Sequence, residues 1–87
     1  MAAVTIPLLF RDVTGGDQRA EVAGATVAEI IASLDEVYPG IAARIRQGDR
    51  LAPIVTVTVD GKIAAGGLAT PVGPKSEVCL LPSFGGG

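Results

Sequence analysis

Hydrophobic and polar residues alternate in two rhythms along this chain. Val4, Ile6, Leu8 and Phe10 alternate with Thr5, Pro7 and Leu9, a period of two that predicts a strand with one strongly buried face. Pro7 has no N–H to give to a ladder, so it belongs at a bulge or beside an unpaired position. Thr14-Gly15-Gly16-Asp17 reads as a turn. Beyond it Ala20 and Val22 point one way and Arg19 and Glu21 the other, as in the second arm of a hairpin.

The rhythm then changes. Val27, Ile30, Ile31, Leu34 and Tyr38 form one apolar stripe at helical spacing. Thr26 and Glu29 have the spacing of a capping box, in which each side chain satisfies a backbone N–H left free at the helix start. Pro39-Gly40 stops this helix, and Ile41 with Ile45 predicts a short second helical turn before Gly48. Asp35, Glu36, Arg44 and Arg46 are expected to be solvated helix charges. Neighbouring positions on a helix do not share a face, so Asp35-Glu36 is no catalytic dyad.

Alternation returns at 54–59, with Val55, Val57 and Val59 on one face and Ile54, Thr56 and Thr58 on the other. Asp60-Gly61 is a tight-turn pair that sends 62–64 back as a short strand. Gly66-Gly67 releases the chain, Leu68 is expected to return to the core, and Val78 and Leu80 mark a last strand running to Pro82. One helix covering one face of a mixed four- to five-stranded sheet buries these stripes, which makes the fold class α+β. The domain is expected over 1–82, followed by a flexible glycine tail over 83–87.

Composition supports a globular chain. Of 87 residues, 48% are hydrophobic, enough to exclude a disordered polymer. Aromatics are limited to Phe10, Tyr38 and Phe84, so the core is expected to be aliphatic. The net charge of −2 comes with scattered basic residues, whereas nucleic-acid binding needs a concentrated basic face. No nucleic-acid partner is expected. No apolar run approaches the roughly 18 residues of a membrane span, and the opening stretch lacks the basic start of a signal peptide. The expected compartment is the cytoplasm, with no membrane partner.

The absence of histidine removes an imidazole base and any His-ligated metal site. The one cysteine, Cys79, sits within a strand and has no histidine to activate it, so it reads as a small hydrophobe. Lys62 and Lys75 read as surface lysines.

Three terminal glycines alone are what a frayed chain end looks like. Here they leave a strand directly after Leu80-Leu81-Pro82, and the other landmarks form a series. These are Ile6-Pro7-Leu8-Leu9, Thr14-Gly15-Gly16, Thr26-Val27 with Glu29-Ile30, and Leu34 followed by Tyr38-Pro39-Gly40. After them come the valine-rich 57–61 stretch, Gly66-Gly67-Leu68-Ala69-Thr70-Pro71, Glu77-Val78, Leu81-Pro82 and Gly86-Gly87. In this order and spacing the chain resembles the ThiS/MoaD family of ubiquitin-like sulfur carriers, closest to the branch serving cysteine biosynthesis. It departs from the family pattern in its third glycine and in Phe84, where a small or aliphatic residue is common.

The resemblance implies a β-grasp fold with the first and last strands side by side and parallel at the sheet centre. It also implies a chain that is no enzyme and binds no cofactor of its own. An E1-like activating enzyme would use ATP and Mg to adenylate Gly87, with Gly86 its partner in the motif. Sulfur would then displace AMP, and the resulting thiocarboxylate would serve a sulfur-accepting biosynthetic enzyme. Without Cβ atoms, Gly85, Gly86 and Gly87 can thread a narrow channel. Fully extended, 83–87 spans at most about 17 Å. The sheet face away from the helix is expected to carry Ile54, Thr56, Cys79 and Leu81, with Leu81 and Phe84 as partner contacts. The small subunit of a molybdopterin synthase and a protein modifier conjugated through Gly87 are the alternatives.

Overall fold

The computed structural model describes residues 1–83. Strand β1 (Ala2–Thr5) pairs antiparallel with β2 (Arg19–Val22) and parallel with the last strand, β7 (Glu77–Pro82). On its other side β7 pairs antiparallel with β5 (Val55–Val59), and β5 turns into the short edge strand β6 (Lys62–Ile63). The five-stranded order is β2-β1-β7-β5-β6. First and last strands are therefore parallel neighbours in a mixed sheet, the β-grasp arrangement implied by the resemblance.

Among the described residues three helices accompany the sheet: α1 (Arg11–Thr14), α2 (Val27–Val37) and α3 (Ile41–Ile45). Val27, Ile30, Ile31, Leu34 and Tyr38 are all buried, so the predicted stripe is the face α2 turns to the sheet. Opposite it lie Val4, Val22, Val57, Val78 and Leu80. Leu68, in a 3-10 turn over Gly67–Ala69, is partly buried against this core as expected.

Local chemistry sets the ends of the elements. The Glu29 N–H donates to Thr26 Oγ1 at 3.2 Å, while Glu29 Oε1 accepts from Ala25 N at 3.0 Å. The return arm of the capping pair thus reaches one residue before the cap. Asp60 takes a positive φ of 52° and Gly61 one of 82°, the conformation a tight hairpin turn needs. The Tyr38 hydroxyl donates to Asp17 Oδ2 at 2.8 Å, tying the end of α2 to the first turn; this bond raises the phenol pKa above its ordinary value.

Four expectations need correction. The first strand does not run to Phe10. It ends at Thr5, and Leu8–Phe10 form a 3-10 turn that leads into α1. Pro7, at φ −74°, caps that turn and accepts from Phe10 N at 3.1 Å. Ile6 and Phe10 are buried, but Leu8 is 55% exposed. A spacing of four fits both a strand and a helical turn, and only Leu8 distinguishes them. Second, 46–51 forms a small hairpin of β3 (Arg46–Gln47) and β4 (Arg50–Leu51) that the periodicity does not reveal. Third, Arg46 lies in β3 and not on a helix, with its guanidinium donating to the Gly48 carbonyl at 2.8 and 3.0 Å. Fourth, Asp35 is no idle solvated charge, since its Oδ1 accepts from Gly40 N and Ala42 N, each at 3.0 Å, and so caps α3. Arg44 does lie on a helix, but it pairs with Asp12 and stands over the Phe10 ring at 5.5 Å.

Candidate functional site: the C-terminal end of the central strand

β7 is hydrogen-bonded on both sides, so its path is fixed by two ladders. Toward β5 the register pairs Leu81 with Thr56 and Cys79 with Thr58. Toward β1 it pairs Cys79 with Thr5. Side chains alternate across a sheet. Since Val78 and Leu80 are buried, Thr5, Thr56, Thr58, Cys79 and Leu81 share the face turned away from α2. The ladder reaches Ser83, whose N–H donates to the Ile54 carbonyl at 2.8 Å. Ile54 lies in the turn that leads into β5, opposite Ser83.

This strip is apolar where the strand ends. Leu81 is 43% exposed and Ile54 44%. Thr56 and Cys79 between them are half-buried, and Cys79 is a free thiol. Since β1 and β7 are parallel, the segment after β1 leaves at this same end of the sheet and carries exposed Leu8 and Leu9. Thr56, Cys79 and Leu81 share the open face as expected, and Ile54 is exposed in the turn just before β5. Of the expected partner contacts, Leu81 is placed at the strand end. Phe84, Gly85, Gly86 and Gly87 lie outside the described residues.

The start of β7 is held by a group that sequence reading treated only as a turn former. Asp60 Oδ1 accepts from Glu77 N at 2.9 Å and Oδ2 accepts from the Ser76 hydroxyl at 2.8 Å. The Asp60 N–H donates back to the Glu77 carbonyl at 2.8 Å. These bonds, first the Glu77 N–H and then the Ser76 hydroxyl, hold the Asp60 carboxyl below the usual carboxylate range. The sequence cue for this latch was Asp60-Gly61 itself, because a positive-φ turn could have been built with Asn and no charge. A shallow cleft of about 350 Å³ between β6 and the Gly67–Ala69 turn lies at the far end of β5, and among the described residues Lys62 is the one charged side chain lining it. What the Leu81 end offers is exposed apolar surface.

The sequence profile of the ThiS family matches residues 4–87. The chain belongs to the ThiS family. It is 32% identical to the sulfur carrier protein CysO of Mycobacterium tuberculosis (strain ATCC 25618 / H37Rv), over 97% of this chain and 96% of that one. Its structure matches a chain in the crystal structure of the Amycolatopsis orientalis BexX/CysO complex with a TM-score of 0.91 and 34% identity, covering 100% of both. The solution structure of the small archaeal modifier protein 1 from Methanosarcina acetivorans matches with a TM-score of 0.79, covering 99% of this chain and 95% of that one. At 23% identity that likeness is one of fold. Among the described residues no helix is long and apolar enough to cross a membrane.

Proposed function

We propose that this chain is a sulfur carrier of the CysO type, a protein co-substrate and not a catalyst. Gly87 carries the working carboxylate, and Gly86 and Gly85 are the unshielded stem that enters the active sites of partners. An E1-like enzyme using ATP and Mg activates the group. A carboxylate oxygen attacks the α-phosphorus, pyrophosphate leaves, and an acyl-adenylate forms. Sulfide then attacks the carbonyl carbon and expels AMP, leaving the thiocarboxylate. A persulfide donor would first leave an acyl disulfide, whose S–S bond a thiol of the partner enzyme breaks, forming a disulfide with the donor and releasing the thiocarboxylate. A biosynthetic enzyme takes that sulfur. Activation is needed because a free carboxylate repels nucleophiles and has no adequate leaving group.

The observation that carries this reading is the exit of the chain from the central strand. Parallel pairing with β1 holds β7 as far as Cys79, and antiparallel pairing with β5 carries it to Pro82, with the Ser83 N–H bonded to the Ile54 carbonyl. The described chain thus ends at a backbone hydrogen-bonded to its neighbour, beside exposed Leu81 and Ile54. A docking surface next to the point of departure lets a partner hold the domain while the tail reaches its chemistry. Family membership and identity to CysO support the same reading. Leu81 and Phe84 are the contacts we assign to partners.

Pyrophosphate exchange into ATP tests the activation step. The activating enzyme should catalyse exchange only when this chain is present, and a chain lacking Gly87 should give none. Exchange that persists without Gly87 would refute the assignment of that carboxylate.

A further inference from the structure

The sheet has an open edge whose sequence complements itself. In β2 the register with β1 pairs Ala20 with Val4 and Val22 with Ala2, and the Ile6 N–H donates to the Gln18 carbonyl at 2.9 Å. In an antiparallel ladder directly opposed residues alternate between bonded and non-bonded pairs. Gln18, Ala20 and Val22 therefore direct their backbone groups at β1, while those of Arg19 and Glu21 point outward. Among the described residues, neither the backbone groups nor the side chains of Arg19 and Glu21 have a hydrogen-bond or ion-pair partner outside the regular ladder.

We propose that β2 pairs with the β2 of a second copy of this chain, antiparallel about a two-fold axis at Ala20. In that register Arg19 of each copy faces Glu21 of the other. These are the outward-facing positions, so each such pair exchanges both of its backbone hydrogen bonds. The side chains on the open face put opposite charges directly across the strands, an arrangement that favours pairing. At the axis, Ala20 meets its own copy in a non-bonded pair, where side chains come closest and a small one fits. The neighbours of Arg19 and Glu21 on β1 are Thr5 and Ala3, both small enough to leave room for the charges. A parallel, in-register pairing would set Arg19 against Arg19 and is disfavoured.

The contact is short by construction. Ala23 O already accepts from the Ser33 hydroxyl at 2.6 Å, and Asp17 N donates to Thr14 O at 3.4 Å. Those groups would bond next, so the ladder is confined to 19–21. Stable interfaces bury at least about 1,200 Å², more than so short a ladder supplies, so the pairing is weak and concentration-dependent. It joins two sheets edge to edge with their β7 strands antiparallel. The two C-terminal ends then leave on opposite sides and remain free for partners.

A charge-swap experiment on the full chain tests this. In wild-type protein diluted from millimolar to micromolar concentration, the amide resonances of Arg19 and Glu21 should shift with concentration, and sedimentation should report a monomer–dimer equilibrium. Arg19→Glu places Glu against Glu, and Glu21→Arg places Arg against Arg. Each variant alone should associate at least roughly tenfold more weakly. An equimolar mixture restores opposite charges at both ends and should associate at least as well as wild type. Three results would overturn the proposal: a wild-type chain monomeric at every concentration, dimers indifferent to either substitution, or a mixture that fails to recover.

Discussion

The hydroxyl of Ser76 donates to Asp60 Oδ2 at 2.8 Å, joining the turn after β5 to the residue before β7. With the Glu77 N–H on the other oxygen at 2.9 Å, this latch fixes where the central strand begins. Its carboxyl is held below the usual carboxylate range in the folded state. A lowered folded pKa stabilises the fold above the unfolded value, and that contribution disappears as pH falls through the lowered one. Asp60→Asn keeps a residue that tolerates positive φ but loses the charge and one acceptor. It should lower the urea midpoint at neutral pH, and the gap from wild type should close as the buffer is taken below the Asp60 pKa. A gap that persists unchanged in acid would remove the carboxylate from the explanation.

Gly24 marks a close approach between the end of the first hairpin and helix α2. A Cβ there would stand 2.8 Å from Ile30 N and 3.0 Å from the Glu29 carbonyl carbon. Both are backbone atoms, which cannot rotate aside. Gly24→Ala should destabilise the domain by about 1–3 kcal/mol, read from thermal or urea unfolding. By contrast, a Cβ at Gly15 or Gly16 meets nothing within 4 Å; substitution there is strained only by the positive φ of 71° or 102°.

Leu80 and Leu81 separate stability from function at adjacent positions. Leu80 is 1% exposed in the core, and Leu81 lies on the open face beside Thr56. Leu80→Ala should cost about 2–5 kcal/mol, a large share of the stability of so small a domain. Leu81→Ala should change stability by less than about 0.5 kcal/mol while slowing thiocarboxylate formation by a purified activating enzyme. Full transfer by a folded Leu81→Ala chain would move the docking surface elsewhere.

Much of this fold is legible in the sequence because its apolar positions keep one period within each element. The α2 stripe, the 54–59 alternation and the Asp60-Gly61 turn each point to one structure. The reading errs where the pattern is degenerate. Ile6 and Phe10 suit a strand as well as a turn, and the two differ only at Leu8, which the turn leaves exposed. The β3–β4 hairpin is too short to establish a period. Asp60-Gly61 marks a turn, but its partners Ser76 and Glu77 lie far along the chain, and the Asp35 cap depends on how the chain bends at Pro39-Gly40. At the candidate site, the open-face residues follow from alternation, but their position beside the chain exit depends on the parallel β1–β7 pairing. That pairing is a long-range choice, and only the family resemblance supplied it.

Intact-protein mass spectrometry addresses the central claim most directly. The full chain is incubated with ATP, Mg, a sulfide source and an extract competent on another carrier of this family. The account predicts a mass increase equal to one sulfur replacing one oxygen, located at Gly87 and absent from a chain lacking that residue. An unchanged mass in the competent extract, or higher-mass adducts linked to lysine in place of the thiocarboxylate, would contradict it.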